Sequence, residues 1–277
     1  MRTLALTVRL ADDHHEALIA ELADLGFDAF ESDDDRLIAY GPAAEWDDVS
    51  RDAVTAWLYA RGLDDAEVEE TLVEPENWNA RWEATMQPVV AGRFVVAPTW
   101  AALPPEAEGR RVLRIDPKMS FGTGYHESTR LALGLLPRVV HPGARVLDVG
   151  TGTGILALAA LALGADHALG CDIDPWSVVN AEENAGLNGF TDRFEVREGS
   201  LEVVPEDGFD LVCANIHLNV LVALLPDLKA KRVPGGFLLL AGLLRTDQPA
   251  MEAALTRAGL AVQAEDVEGE WWACVAA

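Results

Sequence analysis

Hydrophobic and polar residues alternate in two different rhythms over the first 73 residues of the chain. A period of two indicates short strands, and a period near 3.6 indicates helices with one apolar face. The predicted elements are a strand at 3–9, a helix between Asp12 and Gly26, strands at 27–30 and 37–40, a helix between Pro42 and Gly62, and a strand at 68–73. The order β-α-β-β-α-β is typical of a ferredoxin-like unit, in which two helices cover one face of a sheet. We therefore expect a small N-terminal α+β domain over residues 1–73.

A different pattern begins at Arg145, where strand, glycine turn and helix follow one another repeatedly. Seven strands are predicted, at 145–149, 168–172, 193–197, 209–214, 236–241, 260–266 and 271–275. This alternation indicates a parallel sheet of the α/β class. Because proline disfavours helix in the residue before it, Pro75 marks a boundary after the first domain. We expect a linker and aromatic-rich lead-in segment over 74–100 and a second domain over 101–277.

Charge is the outlying feature of the composition. The 277 residues carry a formal net charge of −25, from 46 acidic and 21 basic side chains. A field of this sign repels nucleic-acid phosphates and attracts cationic partners. An acidic composition selected for solubility would give the same charge, so both explanations remain open.

Three cysteines cannot all pair within one chain, and their spacing is not that of metal ligands. We therefore expect reduced core cysteines and no metal site. The N-terminus lacks the continuous apolar stretch of a signal peptide, and the longest apolar runs are about half a membrane span. These features predict a soluble, cytoplasmic protein without a membrane partner, and we expect a monomer.

A glycine-rich turn joins the first strand of the second domain to the helix that follows. Its residues are Asp148-Val149-Gly150-Thr151-Gly152-Thr153-Gly154. Glycines let the backbone turn sharply and approach a bound molecule without Cβ clashes. A dinucleotide fingerprint, G-x-G-x-x-G, would need glycine where this chain has Ile155. The spacing G-x-G-x-G after an acidic residue is instead typical of nucleoside-binding methyltransferases.

Polar residues follow two further strands at the same predicted edge of the sheet. Asp172 lies 22 positions after Gly150, where a carboxylate would hold a ribose diol through two charge-assisted hydrogen bonds. Asp174, which precedes a proline, is placed to cap the next helix. Asn215 ends the fourth strand and would point into the same crevice, although a helix N-cap is the alternative role for this asparagine.

A cluster of glycines, hydroxyls and aromatic residues precedes the sheet, in the segment M-S-F-G-T-G-Y-H-E-S-T-R from Met119 to Arg130. This composition suits a loop that closes over a ligand, with Ser128 or Thr129 near a helix start. By composition alone, an ordinary capped turn is the simpler explanation.

Four segments together resemble one known family: F-G-T-G-Y-H-E-S-T-R, L-D-V-G-T-G-T-G-I-L-A-L-A-A, G-C-D-I-D-P and A-N-I. They are similar to motifs of the ribosomal protein L-eleven (L11) methyltransferase family, PrmA type, and the likeness covers roughly residues 76–277. The resemblance implies a Rossmann-like catalytic domain that uses S-adenosylmethionine and an N-terminal domain that recognises the ribosomal protein. By position, the cofactor-binding residues are then Thr129, Gly150, Asp172 and Asn215, together with Phe121, Gly152 and Ile173. The chain departs from the family pattern at Lys118, where glycine is usual, at Ser128, where threonine is usual, and at Tyr125.

The resemblance also implies methyl transfer to lysine side chains and to the N-terminal amine of L11, the expected protein partner. Related enzymes that methylate planar amides or bases carry an Asn-Pro-Pro-aromatic segment, but here Ile216 and His217 follow Asn215. A rounded aliphatic amine therefore fits better, and we expect Asn215 to orient it. Two alternatives stay open. One is an RNA or DNA nitrogen methyltransferase, which the acidic charge disfavours. The other is an NAD-dependent oxidoreductase, which Ile155 disfavours.

Overall fold

The structure is a computed structural model that describes residues 3–44, 46–73, 86–118 and 120–277. The chain divides into two compact units, Met1–Trp78 and Asn79–Ala277. The predicted boundary at residues 74–77, and the lead-in residues Trp78 and Trp82, lie outside the described residues. Within the described ranges, no helix has both the length and the apolar character needed to cross a membrane.

The N-terminal unit is a four-stranded sheet covered by helices on one face. Its elements are β1 (Thr3–Arg9), α1 (His15–Asp24), β2 (Ala29–Asp33), β3 (Arg36–Pro42), α2 (Asp48–Tyr59) and β4 (Val68–Val73). The strand order is β2-β3-β1-β4 with antiparallel pairing throughout, which confirms the ferredoxin-like prediction. The β2–β3 hairpin is longer than predicted, because the acidic segment continues the strand and Asp33 forms an ion pair with Arg36 across the turn.

The C-terminal unit is built around a seven-stranded sheet. Its strands are β8 (Arg145–Val149), β9 (His167–Asp172), β10 (Phe194–Glu198), β11 (Phe209–Asn215), β12 (Arg232–Leu244), β13 (Val262–Glu268) and β14 (Trp271–Ala276). The order is β10-β9-β8-β11-β12-β14-β13, and β14 runs antiparallel to both of its neighbours. The pairs from β10 through β12 are parallel. This arrangement confirms the predicted Rossmann-like α/β class and its seven strands.

Helices pack on both faces of this sheet. They are α3 (Glu127–Leu135), α4 (Ile155–Leu163), α5 (Pro175–Leu187), α6 (Leu218–Lys231) and α7 (Gln248–Arg257). Successive residues of β11 alternate between two buried clusters, so that Cys213 packs with α4 and Ala214 packs with α6. A strand that is buried on both faces needs a continuous apolar run, which is what the sequence of β11 provides.

A smaller sheet precedes the main one and packs against α3 and α4 in one buried cluster. Its strands are β5 (Val89–Ala91), β6 (Phe94–Ala97) and β7 (Arg111–Arg114). Two asparagines near the end of α5 form hydrogen bonds with the backbone of this segment. Asn188 exchanges two hydrogen bonds with the backbone of Arg114, at 2.9 and 2.7 Å, and Asn184 accepts one from the Asp116 N–H at 3.0 Å. The residues from Arg114 to Asp116, ahead of the loop that leads into α3, are thereby fixed to α5.

Candidate functional site

The glycine turn between β8 and α4 approaches another backbone segment very closely. Gly150, Gly152 and Gly154 have φ values of 71°, 54° and 81°, in the left-handed region that favours glycine. A Cβ on Gly152 would stand 2.3 Å from the carbonyl oxygen of Phe121. The backbone N–H of Thr153 donates to the same carbonyl at 2.8 Å. The turn and the Phe121 loop therefore pack backbone against backbone, which only glycine permits.

Asp172 lies at the carboxyl end of β9, beside this turn. Its Oδ2 accepts a hydrogen bond from the Gly152 N–H at 2.9 Å, and its Oδ1 accepts one from the Asp174 N–H at 3.0 Å. Each carboxylate oxygen retains a further lone pair, so two neighbouring hydroxyls of a ligand can still donate to it. Asp174 accepts from the Trp176 N–H at 3.1 Å and the Ser177 hydroxyl at 3.2 Å, which confirms its predicted role as the cap of α5.

Asp148 is a buried carboxyl group directly beneath the turn, with 1% of its surface exposed. Its Oδ2 accepts from the Thr151 hydroxyl at 2.8 Å and from the Ala157 N–H, in the first turn of α4, at 3.3 Å. Burial, which is the largest influence, raises the pKa of Asp148 to about 7, with a smaller contribution from the charge of Asp172 and against the lowering effect of these two hydrogen bonds. The site therefore contains an acid that changes its charge near neutral pH.

Asn215 and Thr129 meet at the carboxyl end of β11. The Asn215 Nδ2 donates to the Thr129 hydroxyl at 3.3 Å. The N-cap of α6 is His217, so Asn215 does not cap that helix and the alternative role is excluded. The Asn215 Oδ1 is buried and accepts no hydrogen bond from any residue that the structure describes. Because a buried carbonyl oxygen without a donor is costly, this atom is suited to a donor from a ligand.

His126 is the N-cap residue of α3 and ends the loop that leads into this helix. Its Nδ1 accepts a hydrogen bond from the Ser128 N–H at 3.2 Å and lies 2.8 Å from the Ser128 hydroxyl oxygen. Ser128 and Thr129 lie in the first turn of α3, as predicted. Earlier in the loop, Lys118 has a φ of 47°, a left-handed backbone that favours glycine. This conformation explains why glycine suits that position in the family pattern.

Tyr125 anchors the middle of the same loop. Its hydroxyl forms hydrogen bonds with the backbone of Gln87, and its carbonyl accepts from the guanidinium of Arg130. The Arg130 Nε also donates to both carboxylate oxygens of Glu268, at 2.9 and 3.1 Å. The loop is therefore fixed to the segment before β5 on one side and to the end of β13 on the other.

A cavity of about 470 Å³ runs along the carboxyl edge of the main sheet in strand order. Its lining includes Gly199 and Ser200 after β10, Asp172 and Ile173 at β9, Gly150 and Gly152 at β8, Asn215 and Ile216 at β11, Gly242 in β12, Trp271 in β14, and Phe121 and His126 from the loop. Six of the seven residues predicted to bind the cofactor thus line one cavity. The seventh, Thr129, is fully buried and does not line the cavity, but its hydroxyl accepts a hydrogen bond from Asn215, which does.

Several lining residues were not assigned to the site from the sequence. Gly242 carried a usable signal, since a glycine inside an apolar strand often marks a close backbone approach. Its φ is 80°, and a Cβ there would stand 2.7 Å from the Ile216 carbonyl oxygen. Trp271 carried no such signal. It reaches the carboxyl edge because it begins a strand that runs antiparallel to the others.

The side chains of this cavity fit S-adenosylmethionine. Asp172 offers both carboxylate oxygens to a ribose diol, and Ile173 beside it is 77% exposed, which leaves apolar surface for a planar base. The unsatisfied Asn215 Oδ1 leaves one buried hydrogen-bond acceptor in the same cavity. Gly150 and Gly152, which have no side chains, leave room for the part of the ligand that lies between Asp172 and Asn215. The roles of the individual residues in cofactor binding stay a prediction.

Comparisons with family models, relatives and solved structures agree on one family. The family model described as ribosomal protein L11 methyltransferase (PrmA) matches residues 5–277. A ribosomal protein L11 methyltransferase from Symbiobacterium thermophilum is 44% identical over 206 residues, which cover 74% of this chain and 66% of the relative, just under two thirds of its length. One from Chlorobaculum tepidum is 34% identical over 273 residues, covering 97% of this chain and 94% of the relative. The crystal structure of ribosomal protein L11 methylase from Lactobacillus delbrueckii subsp. bulgaricus has a TM-score of 0.65 and 31% identity, covering 69% of this chain and 98% of that chain. The chain therefore belongs to the ribosomal protein L11 methyltransferase family.

Proposed function

We propose that this chain transfers methyl groups from S-adenosylmethionine to lysine side-chain and N-terminal amines of ribosomal protein L11. The observation that carries the proposal is the meeting of Asp172, the glycine turn and the unsatisfied Asn215 Oδ1 in one cavity. The name of relatives that align with nearly the whole chain supports L11 as the substrate.

S-adenosylmethionine supplies an electrophilic methyl group when it is bound. The protein's task is to hold the two reactants in line. Asp172 accepts hydrogen bonds from the ribose hydroxyls, and its own bond to the Gly152 N–H keeps the carboxylate oriented. The absence of side chains at Gly150 and Gly152 brings the ligand against the backbone of the turn.

The acceptor amine must lose a proton before it can react. A lysine amine has an ordinary pKa of about 10.4, so it enters mostly as an ammonium ion. Asn215 Oδ1 can accept one hydrogen bond from that ion and thereby direct the nitrogen. Apolar side chains line the same cavity, among them Ile216, Val220 and Leu224. Such surroundings disfavour the charged form and lower the pKa of the bound amine.

Charge is unevenly distributed along the chain, and we propose that this distribution serves substrate recognition. Residues 1–73 contain 19 acidic side chains and five arginines, with no lysine. A strongly negative unit attracts a basic protein over long range. We propose that residues 1–73 form the domain that recognises L11, that residues 74–100 are the linker and lead-in, and that residues 101–277 bind the cofactor.

The same charge argues against direct binding of nucleic acid, because phosphates would be repelled. We propose that the protein acts as a monomer in the cytoplasm, where ribosomal proteins are available as substrates. The buried, unpaired cysteines Cys171, Cys213 and Cys274 are compatible with a reducing compartment.

Mass spectrometry of purified L11 after incubation with the chain and S-adenosylmethionine tests the proposal. We expect added methyl groups on lysine side chains and on the N-terminal amine. Asn215→Ala should abolish the modification, whereas Asn219→Ala, at an exposed position next to the cavity, should leave it unchanged. Unmodified L11 in a sample that binds S-adenosylhomocysteine would overturn the substrate assignment and leave the cofactor assignment intact.

A further inference from the structure

Three aromatic rings meet in the lining of the cavity. The His126 ring centroid lies 5.2 Å from that of Phe121, with 58° between the ring planes, and 4.3 Å from that of Trp271, with 74° between the planes. Rings inclined in this way form adjoining walls and not a flat stack. All three line the cavity, and Phe121 is 52% exposed, so this aromatic trio is accessible to a ligand.

Two of the three rings, those of His126 and Trp271, lie toward the end of the cavity away from Asp172, whereas the Phe121 backbone packs against the glycine turn and its ring approaches that of His126. Trp271 begins β14 and Asp172 ends β9, with β8, β11 and β12 between them. Four strand spacings of about 4.8 Å separate those strands by about 19 Å along the sheet edge. Asn215, at the end of β11, lies between the two ends. If Asp172 holds the ribose, the His126 and Trp271 rings lie beyond Asn215, on the side where an acceptor amine must be placed.

His126 uses its Nδ1 as a hydrogen-bond acceptor in this arrangement. A backbone N–H can only donate, so the hydrogen bond from the Ser128 N–H requires a lone pair on Nδ1. That lone pair is therefore not free to take a proton from the substrate. These contacts favour a binding role for His126 over a role as a general base.

We propose that Phe121, His126 and Trp271 form an aromatic cage for the acceptor ammonium group, and that this cage prefers methylated over unmethylated nitrogen. Ring faces attract cations, and quaternary ammonium groups are the ligands that aromatic cages recognise best. Each methyl transfer replaces an N–H by a methyl group and so weakens the hydration of the cation. The affinity of the acceptor for the cage therefore increases with each transfer. The cage thus binds an amine that already carries one or two methyl groups more tightly than an unmethylated one. The identity of the acceptor rests on the proposed function.

The test uses the full chain saturated with S-adenosylhomocysteine and two small probes. One is the amide of Nα-acetyl-trimethyllysine, and the other is its neutral isostere with carbon in place of the ammonium nitrogen. Binding is followed by the indole resonance of Trp271 in a ¹⁵N-labelled sample, assigned by its loss in Trp271→Phe. We expect the cationic probe to bind about tenfold more tightly than the neutral one.

Two substitutions test which residues cause the preference for the cationic probe. Phe121→Leu should reduce the cationic preference to about threefold or less, since one cation-binding face is lost. Phe121 is half exposed, so this variant should fold normally. Tyr59→Leu, which removes an exposed aromatic ring of the N-terminal unit, is the matched control and should retain the full preference.

Three results would refute the proposed aromatic cage. They are equal binding of the two probes, an unchanged preference in Phe121→Leu, and a selective loss of S-adenosylmethionine affinity relative to S-adenosylhomocysteine in that variant. The last result would assign the rings to the sulfonium of the cofactor. Because the probes are free amino-acid derivatives, these outcomes do not depend on L11. Failure of L11 methylation together with tight binding of trimethyllysine would refute the proposed function alone.

Discussion

The carboxylate of Asp172 accepts a hydrogen bond from the backbone N–H of Gly152, at 2.9 Å. The bond joins the end of β9 to the glycine turn that follows β8, and it sets the direction of both carboxylate oxygens. The acidic residue and the turn therefore form one unit, and a change in either should disturb the same binding site.

Replacing Asp172 by alanine removes both carboxylate oxygens from the cavity. Loss of two charge-assisted hydrogen bonds to a ribose diol should weaken S-adenosylhomocysteine binding by about 100-fold or more, as measured by calorimetry. Asp166→Ala, at an exposed position near the opposite end of β9, should bind normally. Unchanged affinity in Asp172→Ala would remove the ribose assignment.

Replacing Gly152 by alanine should also weaken binding of the cofactor, for a steric reason. The new Cβ would stand 2.3 Å from the Phe121 carbonyl oxygen, so the turn and the loop must separate. We expect at least a tenfold loss of S-adenosylhomocysteine affinity, which corresponds to about 1.4 kcal/mol. Gly189→Ala is the matched control, since Gly189 also has a positive φ of 72° but a Cβ there meets nothing within 4 Å. Equal affinities in the two variants would show that the close approach is unimportant for binding.

Asp148 should make folding stability depend on pH. Its pKa is about 7 in the folded chain and 3.8 ordinarily, so below about pH 4 it is neutral in both states. As the pH rises from about 4 to 7, the unfolded chain releases this proton first and the free energy of unfolding falls. Asp148→Asn does not titrate, and its single amide oxygen can accept both hydrogen bonds, because Thr151 and Ala157 donate to the same atom.

The comparison of these two proteins isolates the Asp148 contribution from other titrating groups. Between pH 5 and pH 8, the stability of Asp148→Asn relative to the wild type should increase by about 3 kcal/mol. Urea unfolding at several pH values measures this difference. A difference that stays constant over that range would show that the carboxyl group titrates at its ordinary pKa.

Deleting residues 1–73 should separate cofactor binding from substrate recognition. The buried clusters around the seven-stranded sheet contain residues of the C-terminal unit alone, and the N-terminal unit has its own cluster. We therefore expect the truncated chain to fold, to bind S-adenosylhomocysteine with unchanged affinity, and to leave L11 unmethylated. Calorimetry and mass spectrometry of L11 measure the two properties. Normal methylation by the truncated chain would contradict the proposed role of the N-terminal unit.

The sequence by itself determined most of the elements and the half of the cavity that is predicted to bind the cofactor. The turn from Gly150 to Gly154 and the position of Asp172 follow from one β-α-β unit, in which residue spacing nearly fixes spatial position. The same local rules gave the cap at Asp174, the element order of the N-terminal unit and that of the chain from Arg145 onward, whereas β5, β6 and β7 were not predicted. Periodicity and turn chemistry depend on neighbours a few residues away, and these are visible in a sequence.

Only the tertiary structure decided which residues form the other half of the cavity. Asn215 could have been a helix cap until α6 was seen to begin at Leu218, and its partner Thr129 lies 86 residues earlier. Trp271 joins His126 at the cavity because β14 runs antiparallel and lies next to β12. Strand order and strand direction arise from packing between segments far apart in the chain, which no local pattern of residues encodes.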